Sequence, residues 1–206
     1  MAGQVLLAFA FAYLLGSIPF GLLLTKAAGL GDVRKIGSGN IGATNVLRTG
    51  NKKLAAATLL LDALKGFFAV YFVKSGFAVN APELVFAEAG PVPAAALGAV
   101  LGHCFPVWLR FKGGKGVATN AGVSFGLAWP IGVAYALVWI GLLAVTRISS
   151  LAGMSAVVAS AIAAAIFGFS QFVPVLILIA AIIVWLHRAN IGRLMRGEEP
   201  RVGKKG

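Results

Sequence analysis

The sequence predicts an all-α, polytopic integral membrane protein, a bundle of about seven transmembrane helices with short or broken helices in the middle. Of its 206 residues, 59% are hydrophobic and only 12% are charged, about half the charged share that is usual in a soluble domain. Long apolar stretches recur along the whole chain, so residues 1–206 are interpreted as a single membrane-embedded domain. The basic residues are also concentrated between these stretches, as described below.

Seven apolar segments predict the helices, at about 5–25, 54–73, 91–109, 117–129, 131–146, 150–168 and 172–187. A spanning helix needs roughly 20 residues, so the fourth and fifth segments are short. Trp129 and Pro130 separate these two segments and indicate either a turn between two helices or a kink in one. The first segment lacks a basic stretch before it, and Lys26 follows it, so we expect a membrane helix rather than a cleaved signal.

The basic residues predict the orientation of the chain. If the N-terminus lies outside, sixteen of the eighteen basic residues fall in the inner segments 26–53, 110–116, 147–149 and 187–206. Only Lys74 lies outside, and Lys65 lies within a span. The positive-inside rule then gives an outer N-terminus, a cytoplasmic C-terminus and an odd number of spans. The same rule accounts for the net charge of +12 without nucleic acid as a partner.

The first inner loop contains the string GSGNIGATNVLR at 37–48. Three glycines within six residues allow backbone N–H groups to converge on a phosphate, and Arg48 adds a planar guanidinium. The string matches G-x-G-x-x-G, but it follows a membrane helix rather than a β-strand, which excludes a dinucleotide-binding fingerprint. The alternative is a flexible loop with incidental glycines. The candidate phosphate-binding residues are Gly37, Ser38, Gly39, Asn40, Gly42, Thr44, Asn45 and Arg48.

The second inner loop contains FKGGKGVATN at 111–120, with Lys112, Gly113, Gly114 and Lys115 as candidate phosphate contacts. It is not a Walker A loop, because Gly and Val rather than Ser or Thr follow the second lysine. The alternative is an ordinary basic inner loop in which glycines give flexibility.

The last apolar segment ends in HRANIGR at 187–193. His187, Asn190 and Arg193 are spaced by three residues, so on a helix they lie on one face and form a third candidate group. The alternative for His187 is an interfacial residue at the end of a helix.

Polar residues also occur inside the predicted spans. Asp62 and Lys65 are three residues apart and can neutralise each other, so both are left out of the catalytic set. We expect His103 to be a buried histidine with a hydrogen-bond partner and Cys104 to be a small buried hydrophobe.

Several chemistries are not favoured. The inner segments offer only Asp32, Glu198 and Glu199 as carboxylates, so we expect neither a metal nor another cofactor. A transporter or channel for a phosphorylated anion is the alternative, but the unusual residues lie on one side only and there is no internal repeat. A purely structural scaffold would leave the three polar segments unexplained.

Six strings occur in order: GSIPFG at 16–21, GSGNIGATN at 37–45, LDALKG at 61–66, GHCFP at 102–106, FKGGKGVAT at 111–119 and HRANIGR at 187–193. Together they resemble the bacterial acyl-phosphate:glycerol-3-phosphate acyltransferases, the PlsY family, nearly end to end. The resemblance implies a bacterial inner-membrane enzyme that moves a fatty acyl group from acyl phosphate to the sn-1 hydroxyl of glycerol 3-phosphate. The products are lysophosphatidic acid and phosphate, at the first step of phospholipid synthesis, and acyl-CoA is not the donor.

The resemblance also implies roles for individual residues. Ser38 and the 37–42 backbone are assigned to the acyl-phosphate head, and the remaining catalytic residues to glycerol 3-phosphate and the reaction centre. The catalytic set is therefore Ser38, Arg48, Lys115, His187 and Asn190, and Arg193 joins the substrate-binding residues. The proton acceptor remains open between His187 and a substrate phosphate. Oligomeric state and acyl-chain preference are not readable from the sequence.

Overall fold

The computed structural model describes residues 1–203, and every regular element within that range is helical. The α-helices are α1 Ala2–Gly16, α2 Phe20–Ala27, α3 Ala43–Leu47, α4 Lys52–Asn80, α5 Pro91–Cys104, α6 Val117–Leu127, α7 Trp129–Thr146, α8 Ser149–Ile166, α9 Val173–Leu186 and α10 Arg188–Met195. Short 3₁₀ turns occupy Val33–Lys35, Pro82–Leu84, Val107–Leu109 and Ser170–Phe172. The predicted all-α fold is confirmed. Lys204 and Lys205, which were counted in the inner charge, lie outside the described residues.

Each of the seven predicted segments is helical, but their lengths differ. By length and composition, five stretches of the described chain can span a membrane: Ala2–Ala27, Lys52–Phe77, Pro91–Leu109, Trp129–Thr146 and Ser149–Ile166. Helices α9 and α10 make a sixth if they are taken as one span bent by 61°. We treat α9 as the membrane segment and α10 as a helix at its end. Helix α6 has 11 residues and reaches about 16 Å, half of the hydrocarbon core.

The Trp129–Pro130 break is a turn between two helices and not a kink. The backbone of Ala128 is extended, with φ −159° and ψ 137°, and Pro130 lies in the first turn of α7, where its missing N–H costs nothing. The hydroxyl of Tyr135 donates a 2.8 Å hydrogen bond to the carbonyl of Val117 at the start of α6. Because that carbonyl lies at the far end of α6 from the break, α7 must run back along α6.

Small residues let the helices approach closely: Gly98 and Gly102, and Gly122 and Gly126, are spaced by four residues, a spacing typical of close helix contacts in membranes. A Cβ added to Gly102 of α5 would lie 2.1 Å from the carbonyl oxygen of Tyr13, and one added to Gly122 of α6 would lie 1.8 Å from that of Ala63. Backbone therefore touches backbone at the α1–α5 and α4–α6 contacts.

The buried charges of α4 hold the broken first span in place. Lys65 and Asp62 form a 2.7 Å ion pair whose side chains are both about 1% exposed. Lys65 Nζ also donates to the carbonyl of Ile18, at 2.7 Å, in the break between α1 and α2. The predicted neutralisation of the two charges is confirmed. His103 Nδ1, in contrast, is 3.6 Å from Asp62 and has no hydrogen-bond partner within residues 1–203, so the expected partner is not found.

Candidate active site

The first loop is built around the buried side chain of Asn45. Its amide nitrogen donates to the carbonyls of Val33 and Asn40, both at 2.8 Å, and of Ile36 at 3.2 Å. Its amide oxygen accepts from the backbone N–H of Ser38 at 3.1 Å. A polar side chain with this many partners fixes the course of the loop, because each lost bond would leave a buried polar group unpaired.

Arg48 is tied to the same centre. Its guanidinium donates to the amide oxygen of Asn45 at 3.2 Å, and it passes directly over Gly37. A Cβ at Gly37 would lie 2.3 Å from the Arg48 Nη1 atom, and the φ of Gly37 is +52°, a region that side chains disfavour. This glycine therefore lets Arg48 lie against the loop, next to the exposed Ser38.

The second loop rests on the end of α5. The backbone N–H groups of Gly113 and Gly114 donate to the carbonyls of Cys104 and His103 at 3.1 and 3.0 Å. A Cβ at Gly114 would lie 2.1 Å from His103 Nε2, so the imidazole packs directly beneath this residue. Both amides are thus used within the protein, and the loop presents the side chain of Lys115 rather than its own N–H groups.

The bend between α9 and α10 places His187. Its backbone N–H bonds to the carbonyl of Ile183 at 3.1 Å, and its Nδ1 atom lies 2.7 Å from the same oxygen. Nδ1 must carry the proton in that contact, because a carbonyl only accepts. The neutral imidazole is therefore fixed with Nε2 as its hydrogen-bond acceptor.

Lys115 meets α10 through a connected set of polar side chains. Its ammonium donates to the amide oxygen of Asn190, and the amide nitrogen of Asn190 donates to Glu199 Oε1 at 2.5 Å. The second carboxylate oxygen, Oε2, accepts from Arg193 Nε at 2.7 Å, and Oε1 also accepts from the Ser150 hydroxyl at 2.7 Å. The second loop, α8, α10 and the C-terminal segment are joined at this point.

The electrostatics of the site follow from its crowded cations. Burial, followed by the charge of Arg193, lowers the pKa of Lys115 to about 8, although Glu199 opposes this shift. Burial also lowers the pKa of His187 to about 4, and the bond to Ile183 only partly offsets it. Partial burial raises the pKa of Glu199, but hydrogen bonds from its partners hold it below the ordinary value. At neutral pH, His187 is neutral and Glu199 is charged.

The structure brings most of the predicted site residues together. The charges of Arg48, Arg188 and Arg193 all act on Lys115, and that of Lys115 acts on His187, so the three predicted segments lie close enough for their charges to interact. Asn190 joins the second segment to the third through its contact with Lys115.

Other predicted residues have different surroundings. Asn40 donates through its amide to the carbonyl of Ser38 at 3.3 Å, and the N–H of Gly39 donates to Ile36 at 3.0 Å, so these residues shape the loop. Gly42 is the residue just before α3. Thr44 and Lys112 are exposed, and we find no side-chain contact that joins either to the cluster in the chain as described.

Two members of the site were not predicted from the sequence. Glu199 entered only as one of three inner carboxylates that are too few for a metal, and Ser150 was not singled out. A lone pair of glutamates within a basic segment was the available signal, because such an acid is expected to pair with its neighbours. Within residues 1–203, no three His, Cys, Asp or Glu side chains are grouped in a way that could hold a metal ion.

An apolar crevice of about 300 Å³ opens between α4, α6 and α7. Its wall includes Val117, two residues after Lys115, and Tyr135. The other large side chains that line it are Leu59, Leu60, Trp139 and Ile140. The crevice therefore begins beside the polar cluster and runs along the membrane-spanning part of the bundle.

Comparison with known proteins agrees with these features. Residues 6–197 match the family model described as glycerol-3-phosphate acyltransferase. A glycerol-3-phosphate acyltransferase of Erythrobacter litoralis is 67% identical over 193 residues, which cover 94% of this chain and 92% of the relative. That of Mesorhizobium japonicum is 57% identical, with both chains fully covered.

Two solved structures are similar over nearly the whole chain. Both are crystal structures of PlsY, an integral membrane glycerol 3-phosphate acyltransferase. The glycerol 3-phosphate form has a TM-score of 0.86 and 39% identity, and covers 98% of this chain and 96% of its own. The lysophosphatidic acid form has a TM-score of 0.84 and 38% identity, with the same coverage.

Proposed function

The chain belongs to the glycerol-3-phosphate acyltransferase family and is an integral membrane enzyme of that activity, and we propose that its acyl donor is an acyl phosphate. The acyl group passes to the sn-1 hydroxyl of glycerol 3-phosphate, and the products are lysophosphatidic acid and phosphate. The related PlsY structures hold the acceptor in one form and the acylated product in the other. The transporter alternative is not supported.

The observation that carries this proposal is the group of cations around Lys115: Arg193, Arg188 and Arg48 lie close enough for their charges to lower its pKa. Acceptor and donor each bring a phosphate, so a site that joins them must neutralise two anionic heads at once. Guanidinium groups bind phosphate through paired N–H donors, and a lysine acts as a point charge. An acyl thioester would bring no phosphate to the reacting carbon and would leave part of this charge unmatched.

The acyl chain of the donor fits the crevice between α4, α6 and α7. The crevice is apolar and starts at Val117, so a chain that lies in it points its phosphate head toward the second loop. A lipid donor can then remain in the bilayer while its head reaches the polar cluster, because burial of its CH₂ groups needs no water-filled channel.

Catalysis rests on positioning rather than on a covalent intermediate. An acyl phosphate is a mixed anhydride with phosphate as a good leaving group. Ser38, in the loop that Asn45 holds, supplies a donor to the acyl-phosphate head. Lys115 and Arg48 stabilise the charge that develops on the departing phosphate.

A substrate phosphate is the proton acceptor in this proposal, and His187 orients the attacking hydroxyl. The pKa of His187 is about 4, so its imidazole is a weaker base than a phosphate whose second pKa is about 6. Nε2 is nevertheless an acceptor in the tautomer fixed by Ile183. It can therefore accept a hydrogen bond from the sn-1 hydroxyl and aim its oxygen at the acyl carbon.

Purified protein incubated with acyl phosphate and glycerol 3-phosphate tests the donor. We expect phosphate and lysophosphatidic acid to form in equal amounts, and little product from acyl-CoA. Lys115→Ala should lose about 10- to 140-fold in kcat/KM, since a contact to a charged group is worth about 1.5–3 kcal/mol, whereas Lys53→Ala should be unchanged. Efficient transfer from acyl-CoA, with none from acyl phosphate, would refute the proposed donor.

We further propose that the chain lies in the bacterial inner membrane with its N-terminus outside and the active site cytoplasmic. This orientation rests on the distribution of basic residues. Single cysteines at Asn51 and Gly203, in a Cys104→Ser background, should resist membrane-impermeant thiol reagents in intact cells, whereas one at Asn80 should react. Labelling of Gly203→Cys from outside would show that the orientation is the opposite of the one proposed.

A further inference from the structure

The C-terminal segment after α10 contributes one buried acid to the site. The side chain of Glu199 is only 6% exposed and pairs with Arg193, while the side chain of its neighbour Glu198 is 56% exposed and pairs with Arg196. We propose that Glu199 is a positioning residue: its carboxylate fixes the Asn190 amide with its oxygen toward Lys115 and so holds the Lys115 ammonium at the reacting centre. This inference rests on the proposed function of Lys115.

The first part of the argument concerns the Asn190 amide. A carboxylate only accepts hydrogen bonds, so the group that Asn190 turns toward Glu199 must be its NH₂. Its oxygen then faces Lys115. Without the carboxylate, the amide could turn over and present its NH₂ to the ammonium, which has no acceptor to offer. Glu199 thereby selects the only amide orientation that holds Lys115.

The second part concerns charge. Lys115 is surrounded by Arg48 from the first loop, Arg188 and Arg193 from α10, and Glu199 from the C-terminal segment. The nearby His187 is uncharged at neutral pH. The three arginines favour the neutral amine, and Glu199 is the charge that opposes them. Loss of the carboxylate should therefore lower the pKa of Lys115 further.

The third part concerns how Glu199 is held. The backbone N–H of Glu198 bonds to the carbonyl of Arg193 at 2.8 Å, and that of Val202 bonds to Arg147 at 2.7 Å. The segment is thus fastened on both sides of Glu199, and Ser150 of α8 binds the carboxylate itself. An acid held in this way is built into the site, whereas Glu198 offers a matched control on the surface.

The test compares Glu199→Gln, Glu199→Asp and the control Glu198→Gln in detergent. The pKa of Lys115 is read from the pH dependence of its modification by an amine reagent, followed by mass spectrometry, which needs no acyl donor. We expect Glu199→Gln to lower that pKa, and the alkaline limb of kcat/KM with it, by about half a unit to one unit. Glu199→Asp should keep the pKa and recover part of the activity. Glu198→Gln should match the parent in both.

A merely structural role for Glu199 predicts a different result. Folded Glu199→Gln would then have a lower thermal stability but would keep the parental Lys115 pKa and the parental alkaline limb. That result would overturn the proposal. An equal shift of the Lys115 pKa in Glu198→Gln would also overturn it. If Glu199→Gln does not fold, Ser150→Ala decides, with Ser149→Ala as control. Loosening the carboxylate in Ser150→Ala should lower kcat/KM several-fold and move its alkaline limb to lower pH, and parental kinetics in that variant would refute the idea. Failure of the proposed donor would leave the labelling result unaffected, so the two outcomes are distinguishable.

Discussion

Replacement of Asn45 by alanine removes the centre of the first loop. The side chain makes three bonds through its nitrogen and accepts two at its oxygen, although its two hydrogens can fully satisfy only two acceptors. Two bonds at the nitrogen and two at the oxygen are therefore satisfied. At about 0.5–1.5 kcal/mol for each of these four bonds, the loop should lose about 2–6 kcal/mol of local stability. Since 1.4 kcal/mol is a factor of ten, the ordered loop becomes at least about 30-fold less populated relative to open forms.

The effect should stay local, because the loop packs on its own small apolar cluster. Leu22, Val33, Ile41, Val46 and Ala55 form this cluster, apart from the main core between the long helices. We therefore expect thermal unfolding of the bundle to change little, while amide hydrogen exchange speeds up across residues 33–48. The kcat/KM for transfer should fall at least about 30-fold, because Ser38 and Arg48 lose their fixed positions.

Asn51→Ala is the matched control. Its side chain also accepts a backbone hydrogen bond, from Leu54 N–H at 3.0 Å, but it caps only the start of α4, which is worth about 1 kcal/mol. Activity and exchange of the loop should therefore remain near those of the parent. If Asn45→Ala keeps its activity within threefold and its loop amides stay protected, Asn45 does not hold the loop and the reasoning fails.

Three further predictions concern the loop, the lysine and the histidine. Gly39→Val should abolish transfer in a folded protein, since φ is +71° at this loop position and a β-branched residue resists that conformation. The control Gly50→Val changes a glycine with φ +84° outside the loop and should stay active. Equal losses of activity in the two variants would mean that backbone strain alone is responsible. Because the pKa of Lys115 is about 8, kcat/KM should fall above that pH, and Lys115→Arg should remove this alkaline limb even if its activity is low; a limb that persists belongs to another group. In His187→Gln the rate should drop, but an acidic limb near pH 6, from the substrate phosphate, should remain; its disappearance would make His187 the base.

The sequence was sufficient for the helices because the apolar segments are long and their composition is unambiguous. It left the Trp129–Pro130 break undecided, since a proline at the start of a helix and a proline inside one look alike in a single sequence. Only the bond from Tyr135 to Val117 shows that the chain reverses there. The apolar segment at 5–25 also predicts one continuous helix, whereas the helix is interrupted between Gly16 and Phe20. The carbonyl of Ile18, which lies in this break, accepts a hydrogen bond from Lys65, 47 residues away, and no local pattern reveals that contact.

The three polar segments could be recognised from the sequence, but the role of each residue within them could not. Asn45 was predicted as a substrate contact from its place in a glycine-rich string, yet its side chain is occupied in holding the loop. The adjacent acids Glu198 and Glu199 form no recognised motif, so the sequence does not single out Glu199. Its importance depends on contacts with Ser150, Asn190 and Arg193, of which Ser150 lies 49 residues earlier in the chain.

The backbone hydrogen bonds of the glycine-rich loops indicate a different role for the glycines from the one that the sequence predicts. In a phosphate nest the free N–H groups bind the anion, but here the N–H groups of Ser38, Gly39, Gly113 and Gly114 all have acceptors within the protein. The glycines instead let backbone and side chains pack closely, as where Gly114 lies on His103. Recognition of phosphate must then depend largely on side chains that project from these fixed loops. Side-chain charges, unlike backbone dipoles, repel one another, and this repulsion is the physical basis of the role proposed for Glu199.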